Sequence, residues 1–257
     1  MSAIVDFHGH LYPRYDPDKL LRSLVENGKK RFPGSRAGIP VFCLAERMGQ
    51  RWFANTQAKG IHQLGCGWTA TPCDDRLSLR LEKEEQVVFI VAGRQIISTE
   101  RLEVLSLALD LSMDDSSATE TVIERILESG GIPVLPWSPG KWMGQRGRVV
   151  QRMLDRFGPG KVLIGDTIMR PTSYSGGRVF RESKRAGFVH LPGSDPLPMS
   201  GEESQAGRYS ALIDIPCEQP GAEIREYLAR GKFPDYPTSG IGYFSVVSRS
   251  VRLRLTK

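Results

Sequence analysis

The chain opens with the apolar run Ala3-Ile4-Val5-Asp6-Phe7, which leads into His8-Gly9-His10 and then Tyr12-Pro13. A short apolar run closed by glycine and proline predicts a buried strand that ends in a sharp loop. His8 and His10 are two positions apart on extended backbone, so both imidazoles point the same way and can reach one ion. The pair indicates a metal site at the end of the first strand. The alternative is two loop histidines without a shared ligand.

The second half of the chain alternates buried strands with amphipathic helices. The continuously apolar strands are predicted at 132–137, 161–165 and 188–191. Such strands are typical of a parallel sheet that is covered by helices. The length of 257 residues and the repeated βα units favour a barrel over an open sheet. We therefore expect an α/β fold, a TIM-like β/α barrel, regular or distorted, that forms one domain over residues 1–257.

One segment has a different pattern. Residues 77–81 alternate apolar with polar side chains, and residues 86–97 are rich in valine and isoleucine, with a charged turn between the two. Alternation followed by β-branched residues predicts an antiparallel hairpin. We expect an antiparallel β insertion near residues 75–98.

Acidic residues follow two of the late strands. Asp166 comes directly after the strand predicted at 161–165, and Asp195 lies in Gly193-Ser194-Asp195-Pro196, after the last predicted strand. The active site of an α/β barrel is built at these strand ends. A carboxylate beside a divalent ion binds the metal or takes a proton from water. The alternative for Asp195 is a turn or helix cap before proline, which is a common arrangement.

At both ends the chain resembles known families. The stretch from Ile4 to Pro13 resembles the opening strand of the amidohydrolase superfamily and of the similar polymerase-and-histidinol-phosphatase (PHP) barrels. Gly193-Ser194-Asp195 resembles the last strand of the same folds, while the middle is similar only in its βα rhythm. The resemblance implies a TIM-like barrel, one or two divalent metals, and hydrolysis of an ester, amide or phosphoester by metal-activated water.

Carried over residue by residue, the resemblance makes His8 and His10 the first-strand ligands. It makes Asp195 the last-strand aspartate, which binds the ion or serves as general base. Asp166 or Glu103 then completes the ligand shell.

The chain also departs from the family pattern. Trp137 and Asp166 stand where these families place middle-strand histidines, and Leu197 stands where the PHP pattern has a final histidine. Glu100 is an alternative to Glu103. We therefore expect one divalent ion rather than two. Zinc, manganese or iron suits a mixed set of imidazole and carboxylate ligands.

Basic and aromatic residues follow the strands on the predicted catalytic face. They are Lys141, Trp142, Arg170 and Arg208. Arginine guanidinium groups bind carboxylate or phosphate in a bidentate manner, and Trp142 can form an aromatic wall. These four residues predict a small anionic substrate. The alternative for the arginines is ordinary surface charge.

Composition and charge narrow the function classes. The chain is 40% hydrophobic and 25% charged, which is ordinary for a globular protein. No apolar run is long enough to cross a bilayer, so we expect no membrane partner. The four cysteines form no Cys-x-x-Cys pair and no export signal is visible, which predicts reduced thiols and a cytoplasmic location. The net charge of +6 is spread without a long basic block, so nucleic acid is not expected as a partner. A homo-oligomer is compatible with the sequence.

Three functions remain open from the sequence, of which a basic RNA- or DNA-binding protein has the weakest support. The leading hypothesis is a metal-dependent hydrolase that uses metal-activated water on a small anionic ester, amide or phosphoester. The alternative is a catalytically inactive barrel that acts as a binding or scaffold subunit, having kept the first-strand histidines and lost the middle ligands.

Overall fold

The computed structural model describes residues 1–34, 38–138, 140–171, 173–232, 234, 236 and 242–255. Within these residues the chain forms twelve strands and seven α-helices. The strands are β1 (Ser2–Gly9), β2 (Ile39–Leu44), β3 (His62–Gln63), β4 (Thr69–Pro72), β5 (Ser78–Lys83), β6 (Gln86–Val91), β7 (Gly93–Ile97), β8 (Glu103–Leu107), β9 (Ile132–Pro136), β10 (Leu163–Thr167), β11 (His190–Gly193) and β12 (Ala211–Asp214). The α-helices are α1 (Pro17–Arg31), α2 (Trp52–Ala58), α3 (Thr119–Glu128), α4 (Gly144–Phe157), α5 (Arg178–Arg185), α6 (Pro220–Ala229) and α7 (Tyr243–Leu255), and a 3-10 helix spans Glu202–Gln205.

The strands form two mixed sheets. The larger has the order β12-β1-β2-β6-β5-β4-β3, and the smaller has the order β11-β10-β9-β8-β7. In the larger sheet β1, β2 and β6 are parallel, and the remaining neighbours are antiparallel. In the smaller sheet β9, β10 and β11 are parallel, while β8 and β7 are antiparallel additions.

The predicted TIM-like barrel is wrong, because neither sheet closes into a barrel in the described part of the chain. A barrel of this kind needs a helical crossover between each pair of neighbouring strands. Here β12 runs antiparallel to β1, and β7 and β8 reverse direction before β9. A buried strand is apolar on both faces whether its neighbour is parallel or antiparallel. The apolar runs that predicted a barrel therefore carried no information about these reversals.

The antiparallel hairpin of β5 and β6 is not an insertion. β6 also pairs in parallel with β2, with Val41 opposite Phe89, so the hairpin is part of the larger sheet. The next strand, β7, belongs to the smaller sheet. Gly93 lies at this transition, where a Cβ atom would be 2.1 Å from the carbonyl oxygen of Leu44. Only glycine allows the chain to pass from one sheet to the other so close to β2.

The inner faces of the two sheets share one hydrophobic core. Val5 and Val41 from the larger sheet pack in the same cluster as Leu105 and Leu163 from the smaller one, together with Ile224 of α6. Burial of this apolar surface is the main favourable term that holds the sheets together. Because β1 lies between this core and α1, its last residues are fixed where the two sheets meet.

Helix α1 covers the outer face of β1 and β2. Asp16 caps its first turn by accepting hydrogen bonds from the backbone N–H groups of Asp18 and Lys19, and Pro17 occupies the first helical position. A buried apolar stripe faces the sheet and consists of Leu20, Leu21, Leu24 and Val25. Among the residues that the structure describes, no helix is both long and apolar enough to cross a membrane.

Candidate metal centre

The two histidines of the opening motif lie at the end of β1. Both are buried, and their ring centroids are 5.0 Å apart. The Nε2 atoms of both rings face the same carboxylate oxygen, Oδ1 of Asp195. The two imidazoles therefore point the same way, as expected for residues two positions apart on extended backbone.

Asp195 follows β11 and comes from the other sheet. Its Oδ1 atom is 3.3 Å from Nε2 of His10 and 3.7 Å from Nε2 of His8, and its side chain is 24% exposed. The ligand atoms of the three residues lie within 4.8 Å of one another. The backbone of Asp195 has a φ of 41°, in the left-handed region that non-glycine residues rarely adopt. Such local strain is found most often at functional positions.

A buried carboxylate holds the two parts of this cluster together. Asp6 accepts hydrogen bonds from the backbone N–H groups of His8 at 3.2 Å, Ser194 at 2.9 Å and Gly207 at 2.8 Å. It therefore links the histidine loop to the segment that contains Asp195. Burial raises the pKa of Asp6 to about 6, although these hydrogen bonds oppose the rise.

Gly193 permits the close approach of the same two segments. A Cβ atom at this position would lie 2.4 Å from Cβ of His8 and 2.8 Å from its backbone nitrogen. Any side chain would push β11 away from β1. In the sequence, Gly193 is only part of the stretch that resembles the family. The contact with His8 is the physical reason why a glycine is needed there.

The electrostatics of the cluster favour the forms that bind a metal. Burial lowers the pKa of His8, so that an incoming cation displaces a proton from its imidazole more easily. Burial alone would raise the pKa of Asp195, but attraction to His8 and a hydrogen bond from His10 outweigh it and lower that pKa. A neutral imidazole and an ionised carboxylate are the states in which these groups coordinate cations.

The donor set fits a divalent metal ion. Two imidazole nitrogens and one carboxylate oxygen converge from two strand ends, and the carboxylate is open to solvent. Mixed imidazole and carboxylate ligands suit zinc, manganese or iron, and three protein ligands leave coordination positions for water or substrate. His8, His10 and Asp195 are the only such group of three among the residues that the structure describes.

Gln95 was not identified from the sequence. It lies on β7, is buried, and places its side-chain oxygen 3.3 Å from Nε2 of His8. It thus brings a third strand end to the centre. The available signal was the amide of Gln95 inside the β-branched run 86–97, where a buried polar side chain needs a partner.

Glu103 lies near the centre but is already paired. Its carboxylate forms an ion pair with Lys141, and its charge raises the pKa of His8 slightly against the effect of burial. The rival residue Glu100 accepts hydrogen bonds from the backbone nitrogen and hydroxyl of Thr119, at the start of α3. Glu100 therefore caps a helix.

Asp166 is not part of the cluster of three. Arg170 binds its two oxygens at 2.7 and 2.6 Å, and the hydroxyl of Tyr209 donates to it at 2.8 Å. Both carboxylate oxygens are thus occupied by protein donors in a fully buried environment. The sequence placed Asp166 correctly at a strand end but could not show this pairing.

The four residues predicted to bind substrate make contacts in different places. Arg170 is held by Asp166, and Lys141 is held by Glu103. Trp142 is buried, and its indole nitrogen donates to the carbonyl oxygen of Pro136. Arg208 is exposed and donates to the side chain of Gln205. The structure does not bring these four side chains together in one pocket in the described residues.

No family model matches the chain, and no curated protein matches it in sequence. In fold the chain is similar to two endonuclease structures. The lesion-specific endonuclease PfuEndoQ from Pyrococcus furiosus matches with a TM-score of 0.54 and 12% identity, over 92% of this chain and 58% of that one. A complex of Endonuclease Q with a 27-mer duplex substrate, which has an abasic lesion at the active site, matches with a TM-score of 0.54 and 10% identity, over 97% of this chain and 67% of that one. PsfC from Pseudomonas syringae matches with a TM-score of 0.48 and 13% identity, over 89% of this chain and 98% of that one.

These identities show a similar fold and nothing further about activity. The fold is similar to that of Endonuclease Q, and no comparison assigns the chain to the amidohydrolase or PHP family. The chain spans 58% of the length of PfuEndoQ, so that protein has a large part with no counterpart here.

The expected partner was wrong. The sequence predicted a small anionic substrate and no nucleic acid, but the neighbour in fold, Endonuclease Q, is in complex with a DNA duplex. The prediction depended on Arg170 and Arg208 as anion-binding groups. The guanidinium group of Arg170 is bound to Asp166 instead, so that a main argument for a small anion is lost.

Proposed function

We propose that this chain is a metal-dependent hydrolase that cleaves phosphodiester bonds in nucleic acid. The observation that carries the proposal is the convergence of His8, His10 and Asp195 at the meeting point of the two sheets, with the carboxylate open to solvent. The fold similarity to Endonuclease Q supports the choice of a phosphodiester in DNA.

His8, His10 and Asp195 would hold one divalent ion of zinc, manganese or iron. Such an ion lowers the pKa of water and polarises a phosphoryl oxygen. Asp195 would bind this ion through Oδ1, the oxygen that faces both imidazoles, and accept the proton of the attacking water at its other oxygen. The lowered pKa of Asp195 keeps its carboxylate ionised, which is the form that coordinates a cation.

Three neighbouring residues would support this chemistry. Gln95 places its side-chain oxygen 3.3 Å from Nε2 of His8, beside the position that the ion would take. Lys141 is close enough for its charge to lower the pKa of Asp195, so its ammonium group would offset negative charge that develops on the phosphate. Glu103 holds Lys141 in place.

Elemental analysis of the purified protein tests the metal site. We expect about one equivalent of zinc, manganese or iron, lost in a His8→Ala/His10→Ala variant. His62→Ala is the matched control, because His62 lies outside the cluster and its ring hydrogen-bonds the carbonyl oxygen of Gly60. Circular dichroism of each variant establishes that the fold is retained.

Cleavage assays test the reaction. Labelled DNA duplexes, intact or with one abasic site, are incubated with the metal-loaded protein and analysed for strand breaks. We expect cleavage that is abolished by a chelator and by Asp195→Asn. Full metal content in the double histidine variant would refute the site. Absence of cleavage by the loaded protein on all duplexes would refute the activity and favour a binding role.

A further inference from the structure

A cleft with a volume of about 600 Å³ lies beside the metal centre. Its walls come from the turn after β1, the loop after β2, and β7. The lining residues that matter here are Tyr12, Arg14, Arg47, Met48, Gln95 and Asp115. The cleft shares no lining residue with the metal ligands themselves, so it is an adjoining space rather than the centre itself.

Two walls of the cleft touch the metal ligands directly. The ring of Tyr12 is 5.1 Å from the ring of His10, measured between centroids. The side-chain oxygen of Gln95 is 3.3 Å from Nε2 of His8. A ligand in the cleft is therefore separated from the ion-binding groups by one layer of side chains.

The cleft presents two arginines on its exposed side. Arg14 and Arg47 are exposed, and neither forms an ion pair with a carboxylate in the part of the chain that the structure describes. Arg47 is close enough to Tyr12, another lining residue, to lower the pKa of its hydroxyl against the larger effect of burial. In contrast, Arg170 and Lys141 are each neutralised by an acidic partner.

The one acidic side chain in the cleft has another role. Asp115 accepts a hydrogen bond from the backbone nitrogen of Ile97 at 2.8 Å, and so fixes the end of β7. With two guanidinium groups against one carboxylate, the lining keeps a net positive charge. An exposed methionine, Met48, adds an apolar surface at the rim, with 57% of its area accessible.

We propose that this cleft binds the backbone of a nucleic-acid strand next to the bond that is cleaved, with Arg14 and Arg47 each contacting a phosphate. The inference rests on the proposed function and names the residues that hold the substrate. Guanidinium groups bind phosphate oxygens in a bidentate manner, and they keep their charge at every physiological pH. Two arginines from separate loops suit a chain of phosphates better than a single one. The exposed side chain of Met48 would contact a base or sugar.

Salt dependence of DNA binding tests the proposal. Anisotropy of a fluorescent DNA duplex is measured over a range of salt concentrations, with a chelator present so that no strand is cut. Each phosphate contact contributes about −0.9 to the slope of log K against log salt on duplex DNA. An Arg14→Gln/Arg47→Gln variant should therefore show a slope that is smaller by about 2, with binding at least about tenfold weaker at low salt.

The matched control removes the same charge elsewhere. Arg152 on α4 and Arg185 on α5 are exposed, and neither is among the described residues that line the cleft. An Arg152→Gln/Arg185→Gln variant should keep the slope of the unmodified protein. Thermal unfolding and metal content of both variants should match that protein, which separates a lost phosphate contact from a lost fold.

The outcomes distinguish this inference from the proposed function. Equal slopes in the two double variants, or no DNA binding at any salt concentration, would overturn the role of the cleft. If the protein cuts DNA but both variants bind alike, the cleft assignment fails alone. If the protein holds no metal yet loses its DNA affinity only in Arg14→Gln/Arg47→Gln, the cleft assignment stands and the hydrolase proposal fails.

Discussion

The backbone nitrogen of Asp195 donates a hydrogen bond to the carbonyl oxygen of His8 over 2.8 Å. His8 lies in β1 and Asp195 follows β11, which belong to different sheets, and this bond is not part of either sheet ladder. The candidate metal ligands are therefore joined through their backbones as well as through a shared ion. The geometry of the centre therefore depends on how closely β11 approaches β1.

Replacing Gly193 with alanine should disturb the centre directly. The added Cβ atom would meet Cβ and the backbone of His8, which cannot move aside easily. Overpacking of this kind costs about 1–3 kcal/mol in the free energy of unfolding. Urea denaturation and metal content should both report the loss. Gly65→Ala is the control, because a Cβ atom there has no neighbour within 4 Å. Equal stability and metal content in the two variants would contradict the close contact.

The ion pair of Asp166 and Arg170 should matter for stability rather than for metal binding. Arg170→Met would leave the Asp166 carboxylate buried without its cation. Breaking one partner of a buried pair costs about 3–5 kcal/mol. An Asp166→Asn/Arg170→Met double variant should lose less stability than the sum of the two single changes. Metal content measured on the folded variants should stay at the level of the unmodified protein. A selective loss of metal in Asp166→Asn would show that Asp166 is a ligand.

Arg249 on α7 should position the loop that contains Asp195. It binds the carboxylate of Glu202 with two nitrogens, and Glu202 accepts a hydrogen bond from the backbone nitrogen of Leu197 at 3.2 Å. Tyr15 donates to the carbonyl oxygen of Leu197 from the other side. We expect Arg249→Met to weaken metal affinity, measured by competition with a chelator, and Arg249→Lys to restore part of it. Unchanged metal affinity in a destabilised Arg249→Met variant would mean that α7 acts only on stability.

His190 should make the protein sensitive to acid. Burial lowers its pKa to about 3, and the charges of Lys184 and Arg170 add to the effect while Asp166 opposes it. Below a pH of about 6.5 the unfolded chain binds a proton at His190 that the folded chain does not, so the free energy of unfolding falls as the pH falls. The loss approaches about 1.4 kcal/mol per pH unit between these two pKa values.

A His190→Gln variant isolates this effect. The glutamine can keep the hydrogen bond that His190 makes with Ser183, but it does not titrate. Urea denaturation near pH 7 and near pH 5 should show a decrease in stability that is smaller in the variant by about 2 kcal/mol. The same decrease in both proteins would assign the acid sensitivity to other groups.

The sequence by itself determined the local features. The spacing of His8 and His10 fixed that both imidazoles share one side of β1, because side-chain direction alternates along extended backbone. Asp16, Pro17 and the apolar stripe that follows fixed the start and the buried face of α1. These features depend on neighbours a few residues away, and the pattern of residue types records them.

The tertiary structure alone decided which strands pair and in which direction. A buried strand has the same apolar sequence whether the strand beside it is parallel or antiparallel. The sequence therefore did not show the reversals at β7, β8 and β12 that exclude a barrel. The same holds for the partners of charged groups. The sequence predicted Asp166 as a metal ligand and Arg170 as a substrate-binding residue, whereas in the structure the two form an ion pair with each other. Gln95, Arg14 and Arg47 come together with the metal ligands only because distant segments meet there. Local periodicity follows from backbone geometry, whereas the pairing of distant groups follows from the free energy of the whole packed chain.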